Sequence, residues 1–296
     1  MLFRSINALI ENSTIKELAD NAIDVRGDGI SVTVERSTLV NNEGGAFIFG
    51  GSLQMENSTI TTSRSPGVKQ FGGSVALQNM TISGNELGGI EVAAPGGRGA
   101  AAIAAEDLTL GNSIVSGNGE AGACVNASPT SGGGNVVDDE SCGLSGPNDQ
   151  QGVDPLLGPL AENGGPTRTF LPGEGSPAID GGVADGCPDV DQRGFSRSVA
   201  VSVDGSGGST CDSGSVEVGG EVPSSTTTTV PILVPTGPDC SGDAAAEAAC
   251  AESSTVAAEL PRTGGTSAPT AAVGGLAIAA GLALVGVGRR RRPGAR

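Results

Sequence analysis

The segment Leu53-Gln54-Met55-Glu56-Asn57-Ser58-Thr59-Ile60 decides the fold, because its pattern occurs five times along the chain. The other copies are residues 8–15, 32–39, 75–82 and 108–115. The position of Asn57 is filled in turn by residues Asn12, Arg36, Asn57, Asn79 and Asn112. The steps are 24, 21, 22 and 33 residues, and the last is longer because it contains a Gly- and Ala-rich insertion over 93–105. Self-similarity at such a period is typical of a stacked repeat architecture.

Each copy predicts two strands joined by a corner. Apolar residues lie two and four places before the Asn57 position, an alternation typical of a strand with one buried face. Another apolar residue lies three places after it. Because three is an odd number, the buried residues change from one alternating set to the other at the Asn57 position. Asparagine suits such a corner, because it tolerates left-handed backbone angles, and stacked Asn side chains can hydrogen-bond along the stack. A second polar column at Asn42, Asn85 and Asn118 marks the next turn, together with nearby Gly pairs.

These features predict an all-β parallel β-helix, or solenoid, whose interior is filled by aliphatic columns. One rung cannot bury its apolar residues alone, so neighbouring rungs must stack on both sides. The competing interpretation is a β-sandwich of short strands, which does not need a fixed Asn column. The first rung starts at residue 8 with neither a cap nor a signal peptide before it. We therefore expect that upstream rungs and a signal peptide are missing from this chain.

Composition narrows the range of functions. The 296 residues include 16 Lys and Arg, 33 Asp and Glu, and no His, so the net charge is −17. A nucleic-acid-binding protein is excluded, because neutralising phosphates needs a basic face. The lack of His removes His-dependent triads, His metal ligands and His acid–base catalysis. There is also no Trp or Tyr, the usual platforms for stacking sugars, and six Phe supply all the aromatic mass.

The C-terminal segment carries three elements in a fixed order. Leu260-Pro261-Arg262-Thr263-Gly264 is followed by an uncharged apolar run over 271–288 and then by Arg289-Arg290-Arg291-Arg292. At about 1.5 Å per residue the run is near the length of a transmembrane helix, and the Arg cluster fits a cytoplasmic stop-transfer signal. This succession resembles the sortase cell-wall sorting signal of Gram-positive bacteria. The resemblance implies that sortase cleaves after Thr263 and joins the Thr263 carbonyl to a peptidoglycan amine.

The 22-residue period dissolves between the rungs and the C-terminal segment. In order, this region contains Ser131-Gly132-Gly133-Gly134-Asn135, Asp154-Pro155-Leu156-Leu157-Gly158-Pro159-Leu160, Gly175-Ser176-Pro177-Ala178-Ile179-Asp180, Asp191-Gln192-Arg193-Gly194 and Cys211-Asp212. Together with the rungs, this succession resembles the choice-of-anchor Q domain family of bacterial surface proteins over about residues 5–220. The resemblance implies a right-handed parallel β-helix, and the family has no well-defined activity. Residues 213–217 lack the aromatic residue of the family's closing strand, so we expect loose packing there.

The cysteines favour an exported chain with disulfides. Six is an even number, and neither His nor Cys-x-x-Cys spacing is present to suggest zinc. The sequence leaves the pairing open, and we expect nearest neighbours to pair. The expected pairs are Cys124–Cys142, Cys187–Cys211 and Cys240–Cys250. The alternative is free thiols in a cytosolic protein.

One acidic column raises the question of glycan hydrolysis. Glu11, Glu35 and Glu56 share one outward column, and adjacent rungs lie about 4.8 Å apart, so the carboxylates come close together. Glycoside hydrolases need two carboxylates about 5–10 Å apart. The column changes to Gln78 and then Gly111, and no basic column accompanies it. We therefore interpret it as a solvated acidic stripe.

Two further acidic motifs lie in the irregular region. Asp185, Asp189 and Asp191 form a loose, weak candidate calcium loop without EF-hand spacing, and no other metal or cofactor is expected. In Asp191-Gln192-Arg193-Gly194, Arg193 could make bidentate bonds to Asp180 or Asp191. We interpret these four residues as a structural clasp of a C-terminal cap, and a ligand site is the alternative.

The predicted organisation has four parts. They are rungs over 1–120, a disulfide-stapled cap region over 121–220, a disordered Thr-, Pro- and Ala-rich linker over 221–259, and the sorting signal over 260–296 with one transmembrane helix. We expect a cell-surface protein attached to the wall after transient membrane insertion, with sortase and peptidoglycan as partners. The favoured hypothesis is a non-enzymatic adhesin or structural module, with an extracellular polysaccharide or a host surface molecule as candidate ligand. The alternative is a wall-tethered polysaccharide lyase or glycoside hydrolase.

Overall fold

A computed structural model of the protein describes residues 6–93, 107–197 and 211–222. These residues contain 18 short β-strands, and every pairing between the strands is parallel. The strands are β1 (Ile6–Glu11), β2 (Thr14–Lys16), β3 (Asn21–Val25), β4 (Ile30–Glu35), β5 (Thr38–Val40), β6 (Gly44–Ile48), β7 (Ser52–Glu56), β8 (Thr59–Thr61), β9 (Val68–Gln70), β10 (Ser74–Gln78), β11 (Thr81–Ser83), β12 (Ile90–Val92), β13 (Leu108–Gly111), β14 (Ile114–Ser116), β15 (Cys124–Val125), β16 (Thr130–Gly133), β17 (Val136–Val137) and β18 (Gln150–Gln151).

The strands form three sheets that the chain visits once per turn. Sheet 1 has the order β1-β4-β7-β10-β13-β16, sheet 2 the order β18-β17-β14-β11-β8-β5-β2, and sheet 3 the order β15-β12-β9-β6-β3. Through the regular rungs, neighbours within a sheet lie three strands apart in sequence, which is the topology of a parallel β-helix. This confirms the predicted fold, and the β-sandwich alternative is wrong because sandwiches are built from antiparallel strands.

The corner between sheet 1 and sheet 2 forms where the sequence predicts it. All five residues of the Asn57 position have left-handed backbone angles, with φ between 46° and 50°. Asparagine adopts this region with little strain, whereas most other residues with a side chain adopt it less readily. Arg36 nevertheless has a φ of 47° in the same register. The change between the two alternating sets therefore comes from one left-handed residue per rung.

All three sheets line the interior with aliphatic columns, and sheet 1 supplies two of them. One column of sheet 1 runs through Val32, Leu53, Val75 and Leu108. Further columns run through Val34, Met55, Leu77 and Leu110 in sheet 1, through Leu39, Ile60, Ile82 and Val115 in sheet 2, and through Ile23, Ala46, Val68 and Ile90 in sheet 3. These side chains are at most 8% exposed. Burial of one large aliphatic side chain stabilises the fold by about 1.5–3 kcal/mol, which explains how a core without aromatic residues suffices.

One pair of stacked amides forms in the second polar column. The Asn85 side-chain amide donates to Asn118 Oδ1 at 2.9 Å, and the Asn85 backbone N–H donates to the same oxygen. The corner residues Asn57, Asn79 and Asn112 instead turn their amides towards residues 183–211. The expected bond between corner side chains forms in the first two rungs, where Arg36 Nε donates to Asn12 Oδ1 at 3.2 Å. It does not form from Asn57 onwards, because the C-terminal segment of the domain engages these amides instead.

The β-helix extends past residue 120, where the sequence pattern places the start of the cap. Strands β16, β17 and β18 add a sixth rung to sheet 1 and two further strands to sheet 2, so the stacking ends at Gln151. These strands have only two to four residues and no apolar alternation, which is why the repeat is not visible there. The boundary at 120 is therefore too early.

The segment that follows lies along the side of the β-helix. We call residues 154–197 and 211–222 the strap. It covers the outward Thr column of sheet 2, where Gln192 accepts from Thr59 and Ser215 lies within hydrogen-bonding distance of Thr81. Ser213, Ser215 and Val216 are at most 1% exposed, so the expectation of loose packing over 213–217 is wrong. Small side chains fit directly against the Thr column here and replace the missing aromatic.

Two disulfides hold these irregular segments. Cys124 in β15 is bonded to Cys142 with an S–S distance of 2.02 Å, and Cys187 is bonded to Cys211 with 2.03 Å. Both expected pairings are confirmed. The third expected pair, Cys240–Cys250, lies outside the described residues.

Candidate functional site

The strap leaves most of the outward face of sheet 1 open and touches it at Gln78, whose amide donates to the Gly186 carbonyl at 2.9 Å. The strands of sheet 1 are the longest in the protein's described part, with up to six residues, and they present polar columns in register. The columns are Ser31, Ser52 and Ser74; Thr33, Gln54, Ala76 and Thr109; and Glu11, Glu35, Glu56 and Gln78. This arrangement offers hydroxyls, amides and carboxylates at a spacing of about 4.8 Å.

The acidic column is in register but is partly neutralised. Arg36 extends from the corner onto it, making an ion pair with Glu11 and placing Nη1 3.8 Å from Glu35 Oε2. As expected, no basic column accompanies the acidic one in the described rungs, but a single arginine does, because Arg36 replaces the corner Asn in one rung. Burial, followed by the neighbouring Glu35 carboxylate, raises the pKa of Glu56. Glu56 and Glu35 are half-buried, so only Glu11 fits the interpretation of a solvated stripe.

A groove runs along the turn that leads from sheet 3 into sheet 1. It encloses about 490 Å³ and is open to solvent. It is lined by Asp28, Gly29, Ile30, Ser31, Gly51, Ser52, Gly73, Ser74 and Asp107. The sequence analysis missed this groove. The available signal was the tetrapeptide Phe-Gly-Gly-Ser, which occurs at 49–52 and again at 71–74, one rung apart.

A stacked aromatic column borders the groove. The rings of Phe49 and Phe71 lie 4.5 Å apart and are nearly parallel, and the Arg26 guanidinium lies 4.0 Å from the centre of the Phe49 ring. The Phe49 ring is therefore in contact with both the Phe71 ring and the Arg26 guanidinium. Stacking of this kind adds about 0.5–1.5 kcal/mol per aromatic pair and links successive rungs.

The residues Asp191-Gln192-Arg193-Gly194 lie where the strap meets sheet 2. Arg193 Nε and Nη2 donate to Asp191 Oδ2 at 2.9 and 2.8 Å, so Arg193 pairs with Asp191. Gln192 is buried, donating to Thr38 and Thr167 and accepting from Thr59. These contacts tie the strap to two rungs at once, which fits a structural clasp better than a ligand site.

A buried arginine that the sequence analysis did not single out completes the clasp. Arg197 Nη1 donates to Glu217 Oε2 at 3.2 Å and to the Asp212 carbonyl at 3.1 Å. Its Nη2 donates to Asn57 Oδ1 and to the Gly214 carbonyl, each at 2.8 Å. Together, Arg193 and Arg197 face the carboxylates of Asp191, Asp212 and Glu217. Burial raises the pKa of Glu217 to about 7 and also raises the pKa of Asp212.

The strap should therefore become less stable as the pH rises from about 4.5 to 7. Because the folded pKa of Glu217 lies above its usual value of 4.5, the folded state binds the proton more tightly than the unfolded state. The stabilisation is fully present below pH 4.5 and is lost as the pH rises through about 7. Denaturant unfolding monitored between pH 4 and 8 should show this loss, and Glu217→Gln should flatten it. An unchanged slope in Glu217→Gln would contradict the assignment.

The three calcium candidates do not form a site. Asp185 and Asp189 are exposed, whereas Asp191 is fully buried and accepts hydrogen bonds from Arg193, Phe195 and Glu217. Within residues 6–93, 107–197 and 211–222, no group of three acidic, Cys or His side chains could hold a metal ion. The calcium interpretation fails because Asp191 is already engaged in the clasp.

Two family models match the chain. Residues 2–148 match the model described as the right handed beta helix region, and residues 252–292 match the LPXTG cell wall anchor motif. The chain carries a right-handed β-helix domain and a cell-wall anchor. The anchor match includes Leu260-Pro261-Arg262-Thr263-Gly264 and implies sortase processing and attachment to peptidoglycan. These matches support a wall-attached surface protein. No curated protein and no solved structure gave a significant match.

Several expectations concern residues that the structure does not describe. The linker from residue 223 onwards, the sorting residues 260–264 and the predicted span 271–288 lie outside the described residues. Within the described part of the chain, no helix has the length and hydropathy needed to cross a membrane. The match to the general β-helix model does not distinguish the choice-of-anchor Q family, so that resemblance stays a hypothesis.

Proposed function

We propose that this protein is a non-enzymatic adhesin of the choice-of-anchor Q type, displayed covalently on the cell wall. The observation that carries the proposal is the combination of an LPXTG anchor with a β-helix whose sheet 1 face is open and polar. The anchor would attach the chain covalently to the wall at Thr263, so the β-helix would be displayed at the cell surface.

The electrostatics of the open face favour binding over cleavage. A glycoside hydrolase needs one carboxyl group to act as acid and a second, free carboxylate about 5–10 Å away. Here Arg36 lies between two members of the column and interacts with both Glu11 and Glu35. The Glu11 and Glu35 carboxylates are thus engaged by Arg36, which links neighbouring rungs through them.

Replacing Thr263 by Ala should abolish wall attachment of the full chain, expressed with a signal peptide in a Gram-positive host. Sortase transfers the carbonyl of the residue at this position, and its pocket reads the Thr side chain. The readout is the amount of protein in the muramidase-released wall fraction. Arg262→Ala is the matched control, because the motif leaves this position unspecified, and it should remain anchored. Retention of Thr263→Ala in the wall fraction at the wild-type level would contradict sortase processing.

A specific observation favours glycan hydrolysis as the second candidate. Glu56 and Glu35 are adjacent in register, and the pKa of Glu56 is raised by burial and by Glu35, as in a general acid beside a carboxylate. The proposed function expects no new reducing or unsaturated ends when the wild-type chain is incubated with polysaccharides. Ends that appear with the wild type and disappear with Glu56→Gln would replace the adhesin proposal with the enzyme.

A further inference from the structure

The groove at the entrance to sheet 1 has an ordered set of hydrogen-bonding groups. Ser31, Ser52 and Ser74 occupy one register column in β4, β7 and β10, so their hydroxyls repeat at about 4.8 Å. Asp28 and Asp107 also line the groove. The site therefore combines a row of hydroxyl groups, which both donate and accept hydrogen bonds, with two carboxylates, which only accept them.

These side chains are not used to hold the fold together. Among the described residues, the Ser31, Ser52 and Ser74 hydroxyls make no hydrogen bond to protein, in contrast to Ser37, Ser58 and Ser113, which donate to backbone carbonyls of their own rungs. In the same part of the chain, neither Asp28 nor Asp107 has an ion pair. Arg26, close to Asp28 in sequence, is paired with Asp24 at 2.8 Å. The hydrogen-bonding capacity of the groove is thus available to a ligand.

The floor of the groove is bare backbone for a steric reason. Gly51 and Gly73 have φ of 78° and 73°, and a Cβ on Gly51 would lie 2.5 Å from the Ile30 carbonyl oxygen. A Cβ on Gly73 would likewise collide with the Gly51 carbonyl. Side chains are therefore excluded from the floor, which keeps the groove open over three rungs.

We propose that this groove binds an uncharged glycan, which deepens and rests on the proposed adhesin function. Sugar hydroxyls can donate charge-assisted hydrogen bonds to Asp28 and Asp107 and exchange hydrogen bonds with the serine column. Ile30 supplies an apolar surface for the C–H groups of a sugar ring. Two unpaired carboxylates in a chain of net charge −17 repel uronic-acid polymers, so the charge selects against anionic glycans.

The test measures equilibrium binding of labelled oligosaccharides to the purified full chain. The probes are gluco-, manno-, galacto- and xylo-oligosaccharides, with oligogalacturonate as the anionic comparison and an oligolysine peptide as the cationic one. The variants are the double substitution Ser52→Ala with Ser74→Ala, and Asp28→Asn. The matched control is Ser65→Ala, which lies on a different turn and whose hydroxyl makes no hydrogen bond within the described residues. Thermal unfolding of each variant checks that the fold is kept.

We expect at least one neutral oligosaccharide to bind. Loss of two hydrogen bonds, or of one charge-assisted bond, should weaken binding by about tenfold or more in the groove variants. Ser65→Ala should bind like the wild type. Three outcomes would overturn the groove assignment. The wild type would bind none of the neutral probes, or it would bind only oligogalacturonate or oligolysine, or all variants would bind a neutral probe as tightly as the wild type.

The proposed function would fail in a different measurement. Absence of the wild-type protein from the wall fraction would contradict surface display, and new glycan ends would contradict the lack of catalysis. Neither measurement depends on the groove. A neutral glycan that binds the groove and is cleaved would overturn the non-enzymatic proposal while leaving the groove in place.

Discussion

Replacing Arg197 by Met is expected to lower the free energy of unfolding by about 3–5 kcal/mol, because it breaks a buried ion pair from one side. Arg197 is 4% exposed and donates to four oxygens, three of them in residues 211–222 of the strap and one in the corner column. Its removal leaves Glu217 and the carbonyls of Asp212 and Gly214 buried without this partner.

The measurement is denaturant unfolding of the full chain at pH 7 with its disulfides intact. Arg64→Ala is the control, because Arg64 pairs with Glu43 at 3.7 Å on the surface, where a pair contributes about 0–1 kcal/mol. The double variant of Arg197→Met with Glu217→Gln should recover part of the loss, since the uncompensated carboxylate is gone. A single Arg197→Met variant as stable as Arg64→Ala would show that the clasp does not hold the strap.

The β-helix could be predicted because every rung repeats the same local information. Apolar alternation fixes which side of a strand is buried, and the Asn57 position fixes where the chain turns. Even Arg36 adopts the corner conformation, with a φ of 47°, because its neighbours in the stack impose it. The same repetition explains why the boundary at 120 was set too early, since β16 to β18 keep the stacking but lose the apolar pattern.

The path of the strap could not be predicted, because its contacts join residues far apart in sequence. Gln192 meets Thr59 across 133 residues and Thr38 across 154 residues, with no periodic signal linking them. A polar side chain such as Gln192 is also indistinguishable in sequence from a solvent-exposed one. Arg197 was missed for the same reason, since its burial depends on Glu217 and Asn57 arriving from elsewhere.

The groove was visible in the sequence only as a repeated tetrapeptide. Phe49-Gly50-Gly51-Ser52 and its copy at 71–74 contain no residue that signals chemistry alone. The hydroxyls of Ser52 and Ser74 become a row only when the rungs stack in register. Sites of this kind arise from the stack as a whole, so they escape a search for catalytic or metal-binding motifs.

Substituting Gly45 by Ala should destabilise the β-helix strongly, because a Cβ at this position would overlap the next rung. Gly45, Gly67 and Gly89 share one register position at the entrance to sheet 3, and the flanking rungs have Ala22 and Ala123 there. A Cβ on Gly45 would fall on the Gly67 carbonyl oxygen, which accepts the Ala46 N–H at 2.8 Å, and would lie 2.8 Å from Ile60 Cγ2. Relief of this overlap must separate two rungs or break that hydrogen bond.

We expect Gly45→Ala to lower the free energy of unfolding by about 3 kcal/mol or more, at the upper end of the range for overpacking. The matched control is Gly158→Ala, since a Cβ there would lie 3.4 Å from the Leu171 carbonyl, near ordinary van der Waals contact. Neither glycine has a left-handed φ, so backbone conformation does not separate the two substitutions. Gly158→Ala should be neutral or slightly stabilising, because alanine reduces the entropy of the unfolded chain. Equal denaturation midpoints for the two variants would show that the rungs at Gly45 yield to an added methyl group, which would contradict the steric argument.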